Sequence, residues 1–425
     1  MRALEISNLR CFRSTGNIQL APLTLLVGEN STGKSTFMAG MRLAWDAAFG
    51  EKAIEFNEDP FLLGAYDQIA RYPGGKGGRA AEFRISTTYR SHREKDLRVT
   101  TSFGRHRSQP VMVKQVLETE GVHLNASVSG TKRSLQVRAD DQHLTIDLDE
   151  GAFRLPQISG RLVEWDGILW RLSKPEYAPA EMNPRFAELW TDFFRIASGN
   201  DTRPFALAPV RTKPFRTYDP LSETPTAEGS HIPILLDQLY FRDREQWLWI
   251  KGFLEGFGRE SGLFRSLQIK PLGKGESEPF QIRVKIAGPP TNLIDVGYGV
   301  SQILPIALSA LLQPAAKVFL FQQPEVHLHP RAQAELSGLF RNLLKPGYCS
   351  QLIAETHSDH LIDRVRADVR DGLWKPEDVT LLFFERKRVD VKIHRIDIDE
   401  MGNLVGAPPG YRKFFLEEEE RLLGI

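Results

Sequence analysis

Eight residues near the start of this 425-residue chain carry its clearest chemistry. Gly28-Glu29-Asn30-Ser31-Thr32-Gly33-Lys34-Ser35 fit the pattern G-x-x-x-x-G-K-S/T at every fixed position. Two glycines let a backbone wrap closely, so that amide hydrogens point at phosphate oxygens. The N-terminus of a following helix adds positive partial charge. Lys34 is placed to reach β- and γ-phosphates, and Ser35 to ligate Mg²⁺. Gly28, Asn30, Gly33, Lys34, Ser35 and Thr36 are therefore the candidate phosphate-binding residues. An accidental glycine-rich turn would not also bring the strand, the helix and the lysine.

A second set of chemistry-bearing residues lies near the C-terminal end. The apolar run 318–321 ends in Gln322-Gln323-Pro324-Glu325-Val326-His327-Leu328-His329-Pro330. The run 351–354 ends in Glu355-Thr356-His357-Ser358-Asp359-His360. Asp295-Val296-Gly297-Tyr298-Gly299-Val300-Ser301-Gln302 precedes both. His327 with His329, or Glu355 with His357, Asp359 and His360, would suit a metal. Zinc needs converging ligands, and these follow two different strands, so nucleotide and interface roles are preferred. His360 reads as a helix-start residue.

The elements that must hold these residues follow from the hydrophobic pattern. Residues 23–27 form a short apolar run, fit for a buried strand, and 36–49 a plausible helix. From about 80 to 170 the period changes to two, as in 83–87, 97–100 and 144–148, which predicts half-exposed antiparallel strands. Helical spacing returns over about 181–257, with Pro and Gly making 201–233 mostly loop. From about 291 the pattern is α/β again: strands at 318–321, 351–354 and 379–384, helices at 331–344 and 360–368. No sustained heptad, repeat or low-complexity tract is present. The layout is one α/β unit split by an insertion of roughly 200 residues. The expected segments are 1–60 with the phosphate loop, 61–175 rich in antiparallel strand, 176–290 helical, 291–395 completing the α/β lobe, and 396–425 as a tail.

Composition sets the outer limits. A chain that is 41% hydrophobic and 26% charged is neither disordered nor fibrous. The 55 basic and 54 acidic residues leave a net charge of +1, so no global field recruits nucleic acid or membrane. Cys11 and Cys349 are too few for a zinc knuckle or a disulfide framework and suit a reducing, cytoplasmic setting. Glu5 and Asn8 interrupt any signal-peptide core. The longest apolar stretch, 303–312, is too short to span a bilayer and is followed by Gln313, Pro314 and Lys317.

The phosphate loop, the 295–302 segment, the 322–330 segment and the 355–360 segment, in that order, resemble the ABC-type ATPases of the overcoming-lysogenization-defect (OLD) kind. The resemblance is strongest to AAA-family ATPases of bacterial defence and nuclease operons, and it covers about half the chain. Pro209-Val210-Arg211-Thr212-Lys213-Pro214-Phe215-Arg216, with Tyr218 and Gly229-Ser230, also looks like that group. So does the closing Pro409-Gly410-Tyr411-Arg412-Lys413-Phe414-Phe415. The resemblance implies an α/β P-loop NTPase fold: an ABC-type head with a mixed sheet, an antiparallel β layer and an inserted α/β region. It implies ATP and Mg²⁺, and a head-to-tail homodimer or higher oligomer. Gly299, Ser301 and Gln302 look like the signature loop that binds a partner's γ-phosphate, and His357 like the switch histidine. Gln322 sits where a Mg²⁺-side carboxylate ends the strand, and Gln323 where the general base is placed.

Those two glutamines depart from the pattern. A neutral amide neither holds a metal shell nor accepts a proton well. A carboxylate replaced by Gln322 so that the ATP-bound dimer is trapped, and a naturally slow switch, both fit. Either way the expectation is ATP binding with weak hydrolysis. Asp397 and Asp399 read as a hairpin or loop rather than a Toprim nuclease centre, so any nuclease or toxin effector is a separate chain. The basic segment from Arg79 to Lys114, with Lys76 just before it, fits either a phosphate-backbone strip or a solvated sheet face; Tyr89 and Phe103 give weak support for stacking on single strands. Phe12 or Arg13 is placed to meet an adenine or to pack in the core. Trp165, Trp170, Trp190, Trp247 and Trp249 read as core or interface. The competing functions are a switch controlling a defence effector, a DNA-repair or chromosome-maintenance ATPase, and a non-hydrolysing scaffold.

Overall fold

The computed structural model describes residues 1–425 except 51, 75–77, 131, 150–161, 199–202, 221–223, 276, 313–316, 414–416, 418, 419, 422, 424 and 425. Lys76, Gln313, Pro314, Phe414 and Phe415, named above, lie outside the described residues.

The chain begins with β1 (Ala3–Leu9), β2 (Phe12–Ser14), β3 (Ile18–Gln19) and β4 (Leu23–Gly28), then α1 (Lys34–Phe49). Next come β5 (Asn57–Glu58), β6 (Phe61–Leu62) and α2 (Tyr66–Ile69). Six long strands follow: β7 (Glu82–Arg90), β8 (Asp96–His106), β9 (Gln109–Thr119), β10 (Val122–Ser129), β11 (Lys132–Ala139) and β12 (Gln142–Asp147). The middle holds α3 (Trp165–Leu172), α4 (Asn183–Ser198), β13 (Phe205–Leu207), α5 (Ile232–Arg242), α6 (Arg244–Ser261), β14 (Ser266–Pro271), β15 (Phe280–Lys285) and β16 (Thr291–Asn292). The C-terminal part is α7 (Tyr298–Leu312), β17 (Val318–Gln322), α8 (Pro330–Leu343), β18 (Gln351–Glu355), α9 (Asp359–Arg370), β19 (Val379–Lys387), β20 (Asp390–Ile398) and β21 (Leu404–Val405).

Among the described residues, β13-β17-β18-β4-β19 form a parallel sheet in that order, extended antiparallel by β20 and β21. Every residue of β17 and β18 is buried. Alternate side chains enter two different cores. Leu26, Leu320, Ile353 and Leu382 join α1, α3, α4 and the antiparallel sheet. Leu25, Phe319, Phe321, Leu352 and Leu381 join α5 to α9. A sheet covered on both faces explains the unbroken apolar runs in its sequence.

The second sheet runs β12-β11-β10-β9-β8-β7-β1-β2, with β3 on β1. Its strands are antiparallel, and β7 and β8 alternate buried and outward residues over part of their length, as period two predicts, but residues 85–87 and 101–104 are buried in succession. The stretch 201–233 is mostly loop as expected, with β13 as a short edge strand beside β17. Two expectations are corrected. Among the described residues the strand pattern stops at β12, and residues 165–172 are helix, because Trp165, Ile168, Leu169 and Leu172 repeat at helical spacing and all are buried. The region read as helical also holds the hairpin β14–β15 with β16.

Helix ends are set locally. Asp243 caps α6 by accepting from the Gln246 amide at 2.9 Å, and Gly262 ends it in the left-handed region at φ 74°. Ser358 caps α9 through the Leu361 amide at 3.1 Å, which places His357 just outside the helix and His360 in its first turn. Asp399 lies in the turn between β20 and β21, accepting from the Met401 and Asn403 amides. Among the described residues no helix is long and apolar enough to cross a membrane.

Candidate nucleotide site

The phosphate loop joins β4 to α1 as the spacing requires. Its backbone takes positive φ at Gly28 (137°), Ser31 (61°) and Gly33 (93°). A Cβ on Gly28 would lie 2.6 Å from the Phe384 carbonyl oxygen, and one on Gly33 2.9 Å from the Phe12 ring. Both fixed glycines are thus demanded by close approach as well as by φ. No side chain caps α1, so its first amides point into the loop, ready for an anion. Arg386 of β19 donates to the Ser31 carbonyl, and Arg10 donates to the Thr36 hydroxyl at 3.4 Å. Two arginines therefore pin the loop from either side.

Lys34 is almost fully buried. Its Nζ donates to the carbonyls of Gly28 at 2.9 Å and Glu29 at 2.7 Å and stands 3.7 Å from Glu355 Oε1. Burial pushes its pKa down, and the Glu355 charge offsets part of that. Ser35 Oγ donates to Glu355 Oε2 at 2.8 Å. Asn30 is exposed at the loop tip. A cavity of about 660 Å³ opens beside the loop, lined by Gly28, Glu29, His357, Arg386, Tyr411 and Arg412 among others.

The strand ends next to β4 carry the other candidates. Gln322 ends β17 and is buried; its ladder partner is Glu355 at the end of β18, whose other neighbour is Leu26 of β4. Glu355 therefore stands one strand from the phosphate loop, and Gln322 two. Gln323 adopts a left-handed φ of 45° and donates its amide to the Glu355 carbonyl at 2.8 Å. That conformation costs about 1–2 kcal/mol for a residue with a side chain. It is held by Arg211, whose Nη2 donates to the carbonyls of Gln322 and Gln323 at 3.1 and 3.2 Å. Arg211 is buried, and its Nε and Nη1 have no partner among the described residues. Burial pushes its pKa down to about 10. Glu325 Oε1 accepts the His357 amide at 2.7 Å, which ties the loop after β17 to the loop after β18. Burial pushes the Glu325 carboxyl up. The His357 ring is exposed, and burial of part of it together with nearby Lys34 lowers its pKa.

The structure brings Gly28, Gly33, Lys34, Ser35, Gln322, Gln323 and His357 to one edge of the parallel sheet. Gly299, Ser301 and Gln302 lie elsewhere, in the first turn of α7. A Cβ on Gly299 would lie 3.1 Å from the His327 carbonyl, and Ser301 Oγ donates to the carbonyl of Tyr298 at 2.8 Å. Ser301 and Gln302 are buried, whereas Gly297 and Tyr298 are exposed. Tyr298 packs its ring 5.7 Å from that of His327. Phe12 is buried against Phe384 and takes the core role. No group of three or more metal-ligating side chains is present among the described residues.

Two contacts were not singled out from the sequence. Glu355 was read only as a member of a metal set, although an acid ending an apolar run beside the phosphate-loop strand is a usable signal. Arg386 had no signal, since only the strand order places β19 beside β4. Part of the basic strip is paired: Arg93 and Lys95 with Glu188 (3.0 and 3.8 Å), Arg98 with Glu5 (2.6 Å), Arg105 with Asp67 (3.2 Å) and Arg90 with Glu94 (3.4 Å). Arg84, Arg107 and Lys114 are exposed and form no ion pair among the described residues. Tyr89 and Phe103 are core residues, packed on Phe49 and Phe83, and present no face for stacking on bases.

This fold and site define an α/β P-loop NTPase, with a mixed sheet and an antiparallel one. Comparison with known proteins agrees. Residues 3–160 match a family model described as "AAA domain", and residues 228–363 one described as "AAA domain, putative AbiEii toxin, Type IV TA system". The chain thus carries AAA-family ATPase domains. No curated protein matches it. Solved structures similar to it include an SmcHead bound to the C-winged helix domain of ScpA (10% identity, TM-score 0.49, covering 94% of this chain and 98% of that one). Others are the SMC head domain from Thermotoga maritima (12%, 0.42, 92% and 98%) and an Smc head with an extended coiled coil, bound to the C-terminal domain of ScpA, from Pyrococcus furiosus (11%, 0.47, 99% and 99%). At these TM-scores the fold assignment rests on the chain's own strand order and phosphate loop.

Proposed function

We propose that this chain is an ABC-type ATP-binding switch of the OLD-like kind. It holds Mg-ATP on the phosphate loop, pairs head-to-tail with a second copy over the nucleotide, and controls a separate nuclease or toxin of a bacterial anti-phage operon in the cytoplasm. The observation that carries the ATP-binding part is the convergence of Lys34 and Ser35 on one carboxylate, in front of a helix that no side chain caps.

Ser35 and Glu355 offer hard oxygens, the donor type Mg²⁺ takes. Magnesium bound there supplies positive charge against the phosphates. The chain's own residues do the rest. The amides of the loop and of the first turn of α1 bind phosphate oxygens. Lys34 exchanges the carbonyls of Gly28 and Glu29 for those oxygens. His357, kept neutral at pH 7 by its lowered pKa, has one ring N–H to donate. Gln322 brings no carboxylate to the end of β17, and Gln323 orients water but does not take its proton; together they make hydrolysis slow.

The pairing is supported by the exposed apolar side chains of Phe215, Ile294 and Tyr298 on and near the start of α7. The family matched over 228–363 names a putative toxin in its description, which supports a toxin-linked role; that the effector is a separate chain rests on the resemblance alone. The DNA-clamping alternative stays open: Arg90, Arg93, Lys95, Arg98 and Arg105 face acids and the central aromatics are buried, but Arg84, Arg107 and Lys114 are exposed. Light scattering with and without ATP and Mg²⁺ tests the reading, on this chain and on Gln322→Glu. The expected result is a doubled mass that this chain holds and that Gln322→Glu gains and then loses. Unchanged mass in both would reject the ATP-driven pair.

A further inference from the structure

The acid that touches the phosphate loop is not on the strand where the sequence pattern places one. Gln322 ends β17, two strands from β4. Glu355 ends β18, one strand away, closer by the spacing of about 4.8 Å between neighbouring strands. We propose that Glu355 has taken over the cation-side role from β17, and that it is the carboxylate through which this chain takes up the divalent ion of Mg-ATP. The inference rests on the ATP-binding reading above.

The hydrogen bond between Ser35 and Glu355 has a direction that suits a cation. The Ser35 hydroxyl is the donor at 2.8 Å, so its proton is spent on the carboxylate and both its lone pairs are free. Hydroxyl and carboxylate then present oxygens to the same small space. Charge counting points the same way. Lys34, 3.7 Å from Glu355, brings one positive charge to a buried carboxylate. A triphosphate entering beside that pair adds several negative charges, and Lys34 cannot offset both. A divalent ion between carboxylate and phosphates removes the repulsion. The glutamines at 322 and 323 bring no charge of their own. Glu325 accepts the His357 amide on Oε1, keeps Oε2 buried without a hydrogen-bond partner among the described residues, and makes no hydrogen bond to Ser35 or Lys34.

If Glu355 served only to hold Lys34, neutralising it would change nucleotide binding equally with and without metal. The role proposed here makes the metal dependence itself change. The test is binding of a fluorescent ATP analogue, mant-ATP, to the full chain in Mg²⁺ and in EDTA. The wild type is expected to bind much more tightly in Mg²⁺. Glu355→Gln is expected to lose that enhancement by roughly 10- to 100-fold, the scale on which ligand-supporting groups affect metal affinity. Its binding in EDTA stays equal to the wild type or becomes tighter. Glu355→Asp, which keeps the charge, retains part of the enhancement. Should Glu355→Gln fail to fold, Glu355→Thr gives the same reading with a smaller neutral side chain. A neutral variant that keeps the full Mg²⁺ enhancement overturns this inference and leaves ATP binding standing. A wild type that binds no mant-ATP even in Mg²⁺ overturns the ATP-binding reading, and this inference with it.

Discussion

Along β17 and β18 every side chain is buried, and polar residues wait at the strand ends. Along β7 and β8 buried residues are interleaved with outward ones except over 85–87 and 101–104, and charged residues sit at outward positions. Charge is handled differently in the two places. At the ends of the parallel strands, Lys34, Glu355 and Arg211 are buried with hydrogen-bonding capacity turned toward the loop or left over. On the antiparallel sheet, Arg93, Lys95, Arg98 and Arg105 meet acids at the surface. A buried charge with spare capacity is costly and points to a ligand or a mechanism. A surface pair is cheap and points to solubility and register.

Stability measurements sharpen the contrast, and the largest effect belongs to the parallel sheet. Phe321 is fully buried, with rings of Phe319 and Phe340 about it. Phe321→Ala should cost about 3–5 kcal/mol in urea unfolding, because its neighbours on that face of the sheet, Phe340 of α8 and Phe319 among them, are themselves held in the core and cannot collapse into the space. A cost below about 1 kcal/mol would mean that this sheet is less tightly packed than its burial indicates.

A smaller effect comes from His357. Its pKa in the folded chain lies below the unfolded value near 6.5. The unfolded chain therefore takes up the proton first, and stability falls as pH drops through and below 6.5. His357→Gln removes this contribution. Melting temperature measured from pH 8 to pH 5.5 should fall less steeply in the variant than in the wild type. Parallel slopes would remove the electrostatic pressure of Lys34 and partial burial from this ring.

Legibility followed the same divide. The phosphate loop was readable because its chemistry is local: two glycines, a lysine and a serine within eight residues, between a strand and a helix. The strands of both sheets were readable by period. Roles that depend on strand order were not. That Glu355 rather than Gln322 meets Ser35 follows from β18 lying between β17 and β4, and a linear pattern does not contain that order. Arg386 and Arg211 reach the loop and the end of β17 from segments roughly 350 and 110 residues away in the chain, with the same consequence. Tyr89 and Phe103 were readable as strand residues, but which face they occupy depends on α1 and on the 56–61 segment packing over them. The three-residue β13 was lost among prolines and glycines, being too short for any period to show.

The smallest expected effect is the sharpest check on the antiparallel side. Arg93 and Lys95 share Glu188 of α4, and all three side chains are about one-third to one-half exposed. Water screens such a pair, and ordering long side chains offsets much of its attraction. Lys95 also remains beside Glu188 when Arg93 is removed. Arg93→Ala should therefore shift the unfolding free energy by less than about 0.5 kcal/mol and leave the ATP-dependent mass unchanged. Duplex DNA followed by fluorescence anisotropy should bind weakly, with a salt dependence between about 50 and 200 mM no steeper than the unpaired Arg84, Arg107 and Lys114 can give, since cations already facing carboxylates release few counterions from phosphates. A steep salt dependence that Arg93→Ala flattens would break the comparison at this point. It would mean that Glu188 yields the arginine to a phosphate backbone, and the outer face of β7 and β8 would then belong to the site rather than to the scaffold.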